Sequence, residues 1–224
     1  VTPQPHNPLV GASFDAVIFD LDGTLIDSHV AMVRSYERWA EEFGIRLDRL
    51  PHLLGMPSAA VSEALLPPEH VVAATERIEV LEVTDTEGVV ALPGAREAFT
   101  TLPRTGVAIA TSCTTDLMRA RLSAADLPFP DVIVTRDHVA DGKPAPDSFL
   151  LAAKLLGVHP ARALVVEDAP AGIAAARAAG CPVLGIASTK RHDELAADAV
   201  VGDLSQVEWQ VETNGQISLR LRTA

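Results

Sequence analysis

Two cysteines, Cys113 and Cys181, are all that the 224 residues contain. That is too few to frame a fold with disulfides and suits a reducing compartment, so both are expected to be free thiols. Aromatic residues are scarce too, at 4%, while hydrophobic residues reach 48%. The core must therefore be filled by aliphatic strands and helices, which favours an α/β class over disordered or fibrous ones. Positive charge is also short: 18 Lys and Arg against 30 Asp and Glu leave a net charge of −12. Such a field repels nucleic acid and anionic lipid, and neither is expected as a partner. An anionic ligand would have to be held by local cations, a metal or backbone N–H groups. No apolar run approaches the roughly 18 residues that cross a bilayer. The opening VTPQPHNPLVGA has no basic region followed by an apolar stretch, so the expected location is cytoplasmic.

What is present is a rhythm. FDAVIF (residues 14–19) is a continuous apolar, β-branched run, the pattern of a strand buried on both faces of a parallel sheet. Similar runs recur at VAIA (107–110), VIV (132–134), ALVV (163–166), VLGI (183–186) and AVV (199–201). Helical stretches such as DLMRARLSA (116–124), DSFLLAAKLLG (147–157) and AGIAAARAAG (171–180) lie between most of them. Strands alternating with helices imply right-handed βαβ units and a doubly wound, Rossmann-like parallel sheet. Residues 28–92 break the rhythm, because they hold helical periodicity and no convincing strand. Val33, Tyr36, Ala40 and Phe43 share one helical spacing, and Val71, Ala74, Ile78 and Leu81 another. The expected organisation is an α/β core over 14–27 and 93–206, with a helical domain over 28–92 inserted after the first strand. At 207–224 the alternating VEWQV and ISLRL about Asn214-Gly215 predict a β-hairpin, read as an edge or interface element.

Doubly wound folds bind ligands outside the carboxyl ends of their strands, so the residues just after each strand are the candidates. After FDAVIF comes DLDGT, in which Asp20 and Asp22, two apart on an extended chain, face the same side and can address one ligand. After VAIA come Thr111 and Ser112, two hydroxyls able to donate to an anion. Beyond VIVT, the GKP loop supplies the ammonium of Lys143, and after ALVV come Glu167 and Asp168. Carboxylates from two strands suit a hard cation, and magnesium takes one or two of them with water and phosphate filling the rest. Such a cation answers an electrostatic difficulty: a carboxylate and a phosphate about 4 Å apart repel by roughly 4 kcal/mol at an effective dielectric near 20.

Residues 14–27 (FDAVIFDLDGTLID), the GKPAPDSF block and VVEDAPAGIAAARAAGCPVLGI resemble the signature motifs of the haloacid dehalogenase superfamily, mostly phosphatases. Between residues 92 and 188 the chain is most similar to the glycerol-3-phosphate and 2-deoxyglucose-6-phosphate phosphatase group. The resemblance implies hydrolysis of small sugar or polyol phosphates through an aspartyl-phosphate, with Mg²⁺ as cofactor. It makes Asp20 the nucleophile and Asp22 the general acid and base. Thr111 and Lys143 would hold the phosphoryl group and the nucleophile. Asp20, the backbone carbonyl of Asp22, and Asp168 would bind the metal, and Glu167 would support it directly or through water. Residues 28–92 would be a cap closing over the substrate. The loop LLGMP (53–57) falls near the place of a cap specificity loop, which makes Gly55 a candidate substrate contact.

Two other enzyme readings stay open at this stage. Cys113 to Arg119 reads C-T-T-D-L-M-R, the Cys-x5-Arg spacing of cysteine phosphatases, although the loop has no Gly and carries Asp116, whose charge opposes a bound dianion. The other is a sugar phosphomutase of the same superfamily. Mutases resembling this chain typically carry a non-Thr residue where Thr24 stands and a His where Met32 stands, and both departures favour hydrolysis. A phosphate-binding module without catalysis fits poorly, because every reactive position is filled.

Overall fold

A computed structural model of the chain describes residues 8–50, 53 and 56–222. Its centre is a six-stranded, wholly parallel sheet. The strands are β1 (Ala16–Phe19), β4 (Val107–Ala110), β5 (Val132–Val134), β6 (Ala163–Glu167), β7 (Val183–Ile186) and β8 (Ala199–Val201), in the order β5-β4-β1-β6-β7-β8. All four residues of β1 are buried. The reason lies in the period of two: Val17 and Phe19 enter one apolar layer with Ile109, Leu164 and Val166, while Ile18 enters the opposite layer with Ala108, Ala110 and Val165. A strand serving two layers has no polar face, hence the unbroken apolar runs.

Helices α5 (Thr115–Ala124), α6 (Asp147–Leu156) and α7 (Pro170–Ala178) follow β4, β5 and β6. Thr114 caps α5 by accepting the Leu117 N–H, and Pro170 opens α7 where a missing N–H costs nothing. A short helix α4 (Ala95–Thr101) leads into β4.

Between β1 and α4 the chain leaves and returns through a device too short to be seen as a pattern. The two-residue strands β2 (Ile26–Asp27) and β3 (Val90–Ala91) pair antiparallel and pin the two ends of the insertion together. Within it lie α1 (His29–Phe43), α2 (Ser58–Leu65) and α3 (Pro68–Thr84), with an apolar cluster of their own. Tyr36, Trp39, Ala40, Ala74, Ile78 and Leu81 fill that cluster, and the Trp39 indole donates to the Ala74 carbonyl at 2.8 Å. Burying an Ile or Leu side chain such as Ile78 or Leu81 contributes about 1.5–3 kcal/mol. Trp39 and Phe43 are thus packed on each other, ring centroids 5.6 Å apart, rather than turned to a ligand.

The hairpin β9 (Val207–Val211) and β10 (Ile217–Leu221) forms with Asn214-Gly215 in its turn. It does not lie at an edge of the large sheet, whose edge strands are β5 and β8. Trp209, Ile217 and Leu219 instead bury against the main core, where Trp209 meets Phe19 edge-on at 6.0 Å. Alternation is what let one face of the hairpin be apolar enough to serve as a wall. Among the described residues no helix is long and apolar enough to cross a membrane.

Candidate active site

The carboxyl ends of β1, β4 and β6, with the loop after β5, bring four predicted side chains into one buried cluster. Lys143 Nζ donates to Asp20 Oδ1 at 2.5 Å, to Glu167 Oε1 at 2.9 Å and to the Ala110 carbonyl at 3.1 Å. Those three bonds use all three ammonium protons. Its side chain is only 6% exposed. Burial pulls the ammonium's pKa down, but Asp20 and Glu167 outweigh that and hold it above the ordinary lysine value.

Asp20, Glu167 and Asp168 each offer an oxygen within 4.8 Å of the others, and all three residues are buried. One ammonium does not balance three carboxylates. Burial first lifts Asp20 well above the usual carboxyl range against the pull of Lys143, and the charges of Glu167 and Asp168 add to the rise. Asp168 is pushed up to about 7, by burial first and the Glu167 charge next. An all-oxygen, hard donor set with excess negative charge fits magnesium.

The local backbone makes room for this crowding. Gly23 has φ +81°, and a Cβ there would strike the Asp168 carboxylate. Gly172, inside α7, lies against Glu167 so closely that a Cβ would overlap its carboxyl group. Further bonds orient these carboxylates: Thr24 donates to Asp168 Oδ1 at 3.3 Å, Thr189 donates to Asp168 Oδ2, and the Ala169 N–H donates to Glu167 Oε2 at 2.6 Å. The Ser188 hydroxyl holds the Gly23 carbonyl.

Asp22 has a different set of partners. Its Oδ1 accepts from Ser28 Oγ at 2.5 Å and from Arg121 Nη1 at 2.9 Å, and its Oδ2 accepts from the Cys113 thiol at 2.9 Å. Two residues of chain after Asp20 therefore bring Asp22 to α5 and the insertion, while Asp20 pairs with Lys143. Thr111 is buried, its hydroxyl accepting the Cys113 N–H at 3.1 Å, and Ser112 is exposed. Gly55 lies outside the described residues.

The family model described as haloacid dehalogenase-like hydrolase matches residues 17–186. The chain belongs to that family. Hexitol phosphatase A of Escherichia coli (strain K12) is 39% identical over 212 residues, covering 91% of this chain and 97% of that one. Glycerol-1-phosphate phosphohydrolase 1 of Saccharomyces cerevisiae is 30% identical over 233 residues, covering 95% and 92%. A hydrolase from Pseudomonas syringae superposes with a TM-score of 0.73 at 32% identity, covering 85% of this chain and 94% of that one.

For this haloacid dehalogenase-like hydrolase, the cysteine reading loses its geometry. Cys113 is buried, and burial first, then the Asp22 charge, raises its thiol pKa well above the ordinary value. Arg119, the other end of the spacing, is exposed on α5. A cysteine nucleophile needs the opposite, a lowered pKa and an arginine wrapped onto the anion.

Arg121, Glu82, Ser28, Thr189 and Gly172 were not foreseen as site residues. A glycine inside a helical pattern signals close backbone approach, so Gly172 carried a usable sign. Arg121 carried none, since an arginine in an amphipathic stretch reads as solvated.

Proposed function

We propose that the protein is a Mg²⁺-dependent phosphatase of small sugar or polyol phosphates, working through a phosphoryl group on Asp20. The observation that carries this reading is Asp20 at the end of the central strand, paired with a buried lysine and clustered with Glu167 and Asp168. Mg²⁺ would be held by Asp20, Asp168 and the backbone carbonyl of Asp22, with Glu167 supporting it directly or through water. When bound, it supplies positive charge that offsets carboxylate and phosphate repulsion.

An Asp20 carboxylate oxygen attacks phosphorus, and the bond from phosphorus to the substrate's alcohol oxygen breaks. Asp22, acting as general acid, delivers a proton to that leaving oxygen. Water then attacks phosphorus and yields its proton to the Asp22 carboxylate. The acyl-phosphate bond breaks, releasing inorganic phosphate and restoring Asp20. Lys143 holds the Asp20 oxygen and sets its positive charge beside the phosphoryl group, the Thr111 hydroxyl donates to a phosphoryl oxygen, and Ser112 and Gly55 are further substrate contacts. Residues 28–92 act as the cap over the cleft. The names of the two relatives support a polyol phosphate as substrate, and the expected setting is the cytoplasm.

The test is a screen of the purified chain with Mg²⁺ over hexitol, hexose and glycerol phosphates and phosphoglycolate, reading inorganic phosphate. Free phosphate is the expected product. Isomerised sugar phosphate without free phosphate would make the protein a mutase instead. In the same assay EDTA should abolish turnover and Mg²⁺ restore it, whereas full activity in metal-free buffer would remove the magnesium site from the mechanism.

A further inference from the structure

We propose that Arg121 is a positioning residue that aims the Asp22 carboxylate and ties it, through Glu82, to the helical insertion. Arg121 stands in α5, and its side chain is 6% exposed. One end of its guanidinium, Nη1, donates to Asp22 Oδ1 at 2.9 Å and to Cys113 Sγ at 3.4 Å. The other end, Nη2, donates to Glu82 Oε1 at 2.8 Å. Glu82 belongs to α3, and its side chain is 9% exposed.

The chemistry of the guanidinium makes this arrangement a linkage. It is planar and rigid, so the direction of the bond to Glu82 fixes the direction of the bond to Asp22. A buried charge also keeps its partners, because leaving one unpaired is costly. Ser28 and Cys113 add bonds to the same carboxylate. Through Arg121, a glutamate that belongs to neither the sheet nor its carboxyl-end loops bears on the orientation of Asp22, and it links α3 to the acid. This inference rests on the reading of Asp22 as general acid.

The experiment measures the single-turnover burst of leaving-group release from glycerol phosphate and from p-nitrophenyl phosphate, with Asp22→Asn as reference. An alkoxide needs the proton and p-nitrophenolate hardly does, so Asp22→Asn should slow the first on the order of 10²-fold more than the second. Arg121→Met should show the same bias, on the order of 10-fold or more, since small misplacements of catalytic groups carry large rate costs. Arg121→Lys should recover only part of it, because an ammonium has no fork to hold both carboxylates in fixed directions. Glu82→Gln should show the bias more weakly. Arg121→Met leaves Glu82 buried without its partner, so the double variant Arg121→Met/Glu82→Leu, which removes both charges, keeps the test open if the single variant fails to fold. Folded Arg121 variants that slow both substrates equally, while Asp22→Asn keeps its bias, would overturn the proposal and leave the acid role standing. No bias in Asp22→Asn would overturn the acid role itself, and the positioning role with it.

Discussion

Asp20→Asn removes turnover by a factor on the order of 10⁵, the scale seen when a covalent nucleophile is deleted, and leaves the fold in place. The amide matches the carboxylate in shape and keeps an oxygen for the Lys143 bond, so the buried ammonium retains Glu167 and an acceptor at position 20. What it loses is the charged oxygen that attacks phosphorus. Cys113→Ser is the matched control. The serine hydroxyl still donates to Asp22, where the thiol now does, and turnover changes little. Steady-state phosphate release measures both variants, and intact mass after a rapid quench reports the phosphoenzyme. Near wild-type turnover in Asp20→Asn together with loss in Cys113→Ser would move the nucleophile to the cysteine.

The parts of this site that the sequence made legible share one property: each lies just past a strand that is itself plain. The run from Ala16 to Phe19 is buried on both faces, which requires continuous apolar residues, so the first charged side chain after it marks the sheet's edge. The same logic reached Glu167 and Asp168 after β6, and Lys143 through its glycine-proline loop. Ligands in such folds gather at strand ends, and the sequence marks where strands end. The bonds around Asp22 obey no such rule. Arg121 and Glu82 are 39 residues apart in the chain and stand on two helices that meet only in the folded molecule. Each looks like a solvated charge on an amphipathic surface. The pairing of β2 with β3 escaped for another reason, since two residues per strand are too few for a period of two to show. The hairpin at Asn214-Gly215 was readable from its turn and alternation. Its packing against Phe19 was not, because alternation shows that one face is apolar without showing what it meets.

Lys143→Met should cost about 10³-fold in turnover, the scale of losing one preorganised charge-stabilising donor, and should change how stability depends on pH. The ammonium is shared by Asp20 and Glu167 and lies 4.8 Å from the Phe149 ring centroid, so methionine fills most of its volume but carries none of its charge. In the wild type, burial lowers and the two carboxylates more strongly raise the lysine's pKa. Its stabilising contribution is therefore complete below the unfolded value of about 10.4 and is lost only as pH climbs through the higher folded value. The carboxyls behave differently within the neutral range. Burial lifts Asp20 and Asp168 above their unfolded value, Asp168 to about 7. The folded chain then holds protons that the unfolded chain has released, so metal-free stability declines as pH rises from about 4 through about 7. Lys143 opposes both rises, so its removal should steepen that decline and extend it to higher pH. Breaking a buried pair from one side costs about 3–5 kcal/mol, and here the cost should grow as the carboxyls ionise. Thermal unfolding in EDTA at about pH 5 and about pH 8 reads this directly, and the variant should lose more Tm between them than the wild type does. Added Mg²⁺ should return part of the loss at the higher pH, where the carboxylates that bind it are charged. A Lys143→Met protein whose Tm follows the wild-type pH profile would show that the cluster takes its compensating charge from somewhere other than this lysine.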